Sequence, residues 1–161
     1  MNCYGRLSLR APLRALVLAL SFAAFFCGAR ALAQEASLLD DATLSKEKEY
    51  TSLEEALKEP TKVYRLDLSH NGLVEFPAEI LRLPNLQSLN LSNNGIETLP
   101  TDIVKLHKLQ HLNLSTNGLK KLPAEIASLR YLKKLDISQN QFLNSELLRV
   151  KTTLPQVAIS D

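Results

Sequence analysis

LQSLNLSNNGIETLPTDIVKLHK, Leu86 to Lys108, decides the fold, because the same pattern returns at a period of 23 residues on both sides of it. With Val63, Leu86, Leu109 and Leu132 aligned, apolar residues fall into columns: Leu66, Leu68 and Leu73, then Leu89, Leu91 and Ile96, Leu112, Leu114 and Leu119, and Leu135, Ile137 and Phe142. Asn71, Asn94, Asn117 and Asn140 form another column. Pro77, Pro100 and Pro123 each follow an apolar residue, with Ile80, Ile103 and Ile126 three positions later and Leu83, Leu106 and Leu129 closing the units. A fixed period of this length marks a stacked-repeat architecture, in which each unit buries its apolar side chains only against its neighbours.

Within a unit, Ser88-Leu89-Asn90-Leu91-Ser92 alternates polar and apolar residues, the pattern of a short strand with its leucines inward. The Asn-Gly pairs at 71–72, 94–95 and 117–118 ordinarily announce tight hairpins. Matching strands, however, restart about fifteen residues later, a connection long enough to return the chain to a parallel neighbour. A buried asparagine amide can satisfy backbone groups left unpaired where each strand turns away. Asn71, Asn94, Asn117 and Asn140 therefore read as a structural ladder.

These columns resemble the leucine-rich repeat consensus LxxLxLxxNxLxxLPxxIxxLxx. The LPxxI variant is similar to the plant intracellular Ras-group-related and Shoc-type proteins and to many bacterial members. The resemblance spans Val63 to Phe142, within a repeat region of residues 63–144 holding three full copies and one partial. It implies an α/β fold: a right-handed solenoid with a short parallel β-sheet on the concave face, helical turns on the convex face, and helical caps at both ends.

The flanks read as lids. Thr51 with Glu54, or Ser52 with Glu55, can form a capping box, and Leu53, Ala56 and Leu57 give the following helix one apolar stripe. Pro60 stops that helix, so residues 51–62 are read as an N-terminal cap. Residues 145–161 are read as a C-terminal cap: a helix over Ser145–Lys151 with Ser145 as N-cap, then a last edge strand in Leu154–Ile159. Residues 34–50, polar and mixed in charge, read as a poorly ordered linker.

Residues 1–33 read as a cleaved signal peptide. Arginines come first, Ala15 to Phe26 is almost continuously apolar, and Ala31-Leu32-Ala33 offers a small-x-small cleavage pattern before Gln34. The apolar run is shorter than the ~20 residues a spanning helix needs. The chain is accordingly expected to be exported, secreted or periplasmic, with no membrane span in the mature form. A lipoprotein acylated at Cys27 is the lesser alternative, because bulky Phe25 and Phe26 precede that cysteine. Cys3 and Cys27 both lie in this segment, which leaves the mature chain without disulfides or thiolate chemistry. The segment also carries four arginines and no acid, so the formal charge of +2 over 161 residues becomes slightly negative after cleavage. That balance gives no electrostatic case for nucleic acid.

Chemistry finds little purchase on the exposed strand positions. Asp67 and Asp136, three strands apart at ~4.8 Å each, lie about 14 Å from one another, beyond the ~5 to 9.5 Å used by paired glycosidase carboxylates. His70 and His111 are over ~10 Å apart on the same spacing, too far to share a zinc ion, and His107 falls on the outer face. Ser115 near His111 is the best nucleophile of a poor set, with no acid behind the histidine. The acidic row Glu79, Asp102 and Glu125 suits the start of each helical turn better than a metal. Asn90 and Asn113 stand in N-x-S sequons that the repeat itself generates. The expectation is a protein that is not an enzyme and uses no cofactor or metal.

Recognition remains. A stiff sheet with varied polar side chains fixes its contacts in advance. Tyr64, Arg65, Asp67, His111, Asn113, Lys133, Lys134 and Asp136 are the expected partner-binding residues, being exposed and chemically distinctive. Four short strands offer a footprint of roughly 300 Å², against ~800 Å² per side in a standard protein interface. The expected ligand is therefore a protein or peptide gripped over a small area. The alternatives are a structural repeat scaffold with no dedicated ligand, or an intracellular signalling adaptor of the Ras-group type if residues 1–33 are not a signal.

Overall fold

The repeat period becomes a ladder of parallel strands. The computed structural model describes residues 38–161; the expected signal, both cysteines and residues 34–37 lie outside the described residues. Residues Leu39–Asp161 form one unit. It carries, in chain order, α1 (Asp41–Leu44), β1 (Glu49–Tyr50), α2 (Leu53–Lys58), β2 (Arg65–Asp67), β3 (Ser88–Asn90), β4 (His111–Asn113), β5 (Lys134–Asp136), α3 (Asn144–Thr153) and β6 (Ala158–Ser160). The strands pair in sequence order in one sheet, all parallel. Register is set by the repeat: Leu66, Leu89, Leu112 and Leu135 face one another, as do Arg65, Ser88, His111 and Lys134. A slip of one residue would turn every leucine out to water.

The apolar columns are the core. Val63, Leu86 and Leu109, with Leu89, Leu91, Leu112 and Leu114, are at most 1 % exposed. Pro77, Pro100 and Pro123 stand at the N-caps of short 3-10 turns at Ala78–Arg82, Thr101–Lys105 and Ala124–Ser128. Proline fixes φ and surrenders an N–H that the start of a turn leaves unbonded. The turns stay 3-10 because each closes by an i→i+3 bond, such as Ile103 N–H to the Pro100 carbonyl at 3.2 Å.

The ladder runs through Asn94, Asn117 and Asn140. Asn117 Nδ2 approaches the carbonyls of Leu91, Leu114 and Ser115 at 2.9–3.2 Å, and its Oδ1 accepts from Ile96 N–H. Asn140 repeats the geometry on Leu114, Ile137 and Ser138. Asn71 does not. It is exposed, and its side chain reaches only the Ser69 carbonyl, because no complete unit precedes it to supply the deeper acceptor. The Asn-Gly pairs likewise do not carry the turn as hairpins would. The left-handed residue common to all four units is the one before each asparagine: His70, Asn93, Thr116 and Gln139 have φ of 55–56°, and of the three glycines in these pairs only Gly72, at 65°, is left-handed as well. Gly118 is needed for closeness instead, since a Cβ there would lie 3.3 Å from Glu97 Cγ.

The ends differ from the sequence reading in two places, the linker and the cap of the last helix. The stretch expected to be a poorly ordered linker is built: Asp40 caps α1 by accepting from Thr43 N–H, and β1 extends the sheet, with Tyr50 3 % exposed in the position of a repeat leucine. The helix at the C-terminal end starts at Asn144 after an N-cap at Leu143 that has no side-chain bond, so Ser145 lies inside the helix. Helix α2 stops at Lys58, capped by Ser52, and a 3-10 turn over Pro60–Lys62 completes the entry. At the far end α3 is tied to the last full repeat by Glu146, which accepts from Leu122 N–H, and by Arg149, which donates to the Leu122 carbonyl. Strand β6 then pairs with β5, and Leu154 and Val157 are buried beneath it.

Candidate partner-binding face

Side chains on the open face of the sheet fall into rows set by the register. The row at the strand ends is Asp67, Asn90, Asn113 and Asp136, and it serves the backbone. Each side-chain oxygen accepts from the N–H two residues on, at Ser69, Ser92, Ser115 and Ser138. Short Asp and Asn side chains do this readily, and the contact ends the strand. Hydrogen bonds from Ser69 and Asn90 outweigh burial and hold the Asp67 carboxyl below the ordinary carboxylate range. Asp67, Asn113 and Asp136, expected to meet a partner, are thus occupied in shaping the turn. Ser115 Oγ donates to Asn113 Oδ1, an amide oxygen that accepts but is no general base.

The row at the strand starts is different. Tyr64, Gln87, Gln110 and Lys133 precede β2 to β5, with Arg65, Ser88, His111 and Lys134 beside them. Gln87 and Gln110 are 0 % and 1 % exposed. Leu39 N–H donates to Gln87 Oε1 at 2.9 Å, Gln110 Nε2 donates to the Leu39 carbonyl at 2.8 Å, and Gln110 Nε2 also donates to Gln87 Oε1 at 2.7 Å. Two neighbouring repeats thereby bracket one residue of the segment ahead of β1. Two residues on, Asp41 Oδ1 lies 3.1 Å from Lys133 Nζ and 3.4 Å from His111 Nε2, and its Oδ2 lies 3.5 Å from Lys134 Nζ. The Lys133 hydrogen bond leads in pulling the Asp41 carboxyl below its ordinary value.

His111 Nε2 is buried and makes no hydrogen bond. Burial is the main reason its pKa is pushed down, against the pull of Asp41. Arg65 holds the other end of the segment, donating to the carbonyls of Ser45 and Glu47 and pairing with Glu49 at 2.6 Å. The stretch 39–49 therefore crosses from the fourth repeat back to the first along the strand starts. Of the eight expected partner-binding residues, Arg65, His111, Lys133 and Lys134 meet this segment. Tyr64 lends its carbonyl to the N–H groups of Gln87 and Ser88.

Sequence reasoning missed Asp41, Gln87 and Gln110. Two glutamines in successive repeats at one column were the available signal; nothing in the sequence marked Asp41.

Between the two rows lies a cleft of about 290 Å³ lined by Glu49, Asp67, His111, Asn113, Lys134 and Asp136 among others. That is below the usual range for small-molecule sites of about 300–1,000 Å³. No group of three or more His, Cys, Asp or Glu among the described residues is arranged to hold a metal ion. Among the same residues no helix is long and apolar enough to cross a membrane.

The leucine rich repeat family profile matches residues 61–119 and 84–142, together just over half of the chain. The chain belongs to the leucine-rich repeat family. Its structure is similar to that of the leucine-rich repeat protein LIC12759 of Leptospira interrogans, with 38 % identity and a TM-score of 0.63, over 69 % of this chain and 28 % of that one. The BIR3–SERK2 complex of Arabidopsis thaliana contains a similar chain, with 34 % identity and a TM-score of 0.48 over 63 % of this chain and 56 % of the other. The ectodomain of the Arabidopsis receptor kinase GASSHO1/SCHENGEN3, in complex with CASPARIAN STRIP INTEGRITY FACTOR 2, has 28 % identity and a TM-score of 0.49, over 62 % and 13 %. The chain thus spans less than two thirds of the length of each of these structures. A search of curated proteins finds no match.

Proposed function

We propose that the chain is an exported, non-catalytic leucine-rich repeat protein that binds another protein or peptide through the open face of its sheet. The family is typical of protein-binding modules. The observation that carries the reading is the gathering of Arg65, His111, Lys133 and Lys134 along the strand starts, on a sheet whose register holds them rigidly. Three of these approach the single carboxylate of Asp41, so the face suits an acid held on a sheet whose strands are paired in fixed register. The Ser115 hydroxyl bonded to an amide and the small mixed-charge cleft favour contact over catalysis, with no cofactor and no nucleic acid.

Affinity capture with the full-length chain tests the reading against Lys133→Glu/Lys134→Glu. Partners retained by the wild type and lost by the double variant, with both chains melting alike, are the expected result. Unchanged partners contradict it. Export rests on the apolar run Ala15–Phe26 and the Ala31-Leu32-Ala33 pattern, and sequencing of the exported chain should begin at Gln34.

A further inference from the structure

The segment 39–45 lies where a ligand of this face would lie, and it is held by ligand-like contacts. Its backbone at Leu39 is read by Gln87, which accepts from the Leu39 N–H, and by Gln110, which donates to the Leu39 carbonyl. Its Asp41 carboxylate faces Lys133, Lys134 and His111 from two adjacent repeats, and the two lysines alone carry more positive charge than one acid can balance. His111 Nε2, buried and without a hydrogen bond, points at that carboxylate from 3.4 Å. The segment's other end is tied to the sheet through Arg65 and the β1 pairing, with Leu44 buried just before it.

From these contacts we infer that residues 39–45 are a built-in stand-in for the partner, and that the strand starts take an extended acidic peptide segment: the N–H and C=O of one residue clasped by Gln87 and Gln110, and a carboxylate two residues later set against Lys133, Lys134 and His111. This rests on the reading of the sheet face as the partner surface. A partner engages by displacing the tethered strap, pivoting it about Ser45 while β1 stays in the sheet. Tethering presents the strap at an effective concentration in the millimolar range, so it discounts the apparent affinity of any competitor by the fraction of molecules in which the site is open. Weak or poorly matched acids are screened out. A segment carrying more negative charge than the strap's single facing carboxylate gets through.

The test uses a fluorescent peptide of residues 37–45, Ser-Leu-Leu-Asp-Asp-Ala-Thr-Leu-Ser, added to the full-length chain and read by anisotropy. Asp41→Asn in the protein loosens the strap at an exposed position without touching the core. It should bind the peptide about tenfold tighter than the wild type does, because the site is open more often. Adding Lys133→Glu and Lys134→Glu should abolish that binding, and a peptide with Asn in place of its second Asp should bind about tenfold more weakly. Circular dichroism melts confirm that every variant is folded. Equal peptide affinity for wild type and Asp41→Asn, or undiminished affinity after both charge reversals, overturns the inference. So does a wild-type dimer in gel filtration that Asp41→Asn dissociates, which would assign the site to strap exchange between copies. Partner capture separates this result from the broader reading. Capture lost on charge reversal while the peptide ignores Asp41 and both lysines removes the strap and leaves the partner face; capture and peptide both indifferent removes the two together.

Discussion

The repeat body from Val63 to Phe142 and the strap from Leu39 to Ser45 touch the same strands and are held by opposite means. In the body, buried leucines are stacked from unit to unit, and Asn94, Asn117 and Asn140 join neighbouring levels through paired backbone groups. The strap has Leu44 buried, but outside the main core cluster, and its remaining contacts are polar, running from the buried Gln87 and Gln110 to the half-exposed lysines. Exposed ion pairs of this kind contribute roughly 0.2–1 kcal/mol each, and each neutral hydrogen bond about 1 kcal/mol. A single buried leucine truncated to alanine costs about 2–5 kcal/mol. The strap can therefore open while the body stays folded, which is how a local segment with few buried contacts behaves.

The sharpest break is Leu112→Ala, at the centre of the stack. It should lower unfolding stability by about 3 kcal/mol, seen as a shifted urea midpoint, and leave the strap's own opening unchanged. A loss below about 1 kcal/mol would mean that the stack is not cooperative. Next comes the ladder. Asn117→Leu strips the donor from three carbonyls and the acceptor from Ile96, and should cost on the order of 2 kcal/mol. Asn71→Leu loses one bond at an exposed edge and should stay within about 0.5 kcal/mol. Equal effects would contradict the assignment of the ladder to complete units.

Acid probes the C-terminal cap. Hydrogen bonding from Arg149, foremost, holds Glu146 below its ordinary pKa. Unfolding raises that pKa, so the contribution of Glu146 is complete above the ordinary glutamate value of about 4.5 and is lost as pH falls through the folded value. Thermal melts between pH 6 and 3 should show this loss in the wild type, and Glu146→Gln should flatten that part of the profile. Asp41 follows the same sign with a smaller amplitude, since the pair is mostly solvated. Another small effect has the opposite direction. Thr116 is β-branched and left-handed, and Thr116→Asn, the residue type already at position 93, should stabilise by roughly 0.5–1 kcal/mol, read as a small rise in Tm.

What the sequence discloses follows from the same contrast. The strands, the 3-10 turns after Pro77, Pro100 and Pro123, and the role of Asn117 recur at a fixed period, and periodicity exposes them before any coordinate is known. The strap does not recur. Leu39 meets Gln87 across 48 residues, and Gln110 meets Leu39 across 71. Lys133 meets Asp41 across 92. Such single long-range contacts leave no local pattern, and the Asp-Asp and Lys-Glu runs around them imitate a solvated linker. The turn bonds of Asp67, Asn113 and Asp136 are hidden for a related reason: an exposed polar column looks the same in sequence whether or not it also ends its own strand.

The account turns on the strap being separable from the body, and amide hydrogen exchange measures that directly. Amides of Leu39–Leu44 should exchange orders of magnitude faster than those of β3 and β4, and Asp41→Asn should speed the strap further while leaving the strands unchanged. Equal protection in the strap and the central strands, or a strap indifferent to Asp41→Asn, would contradict it.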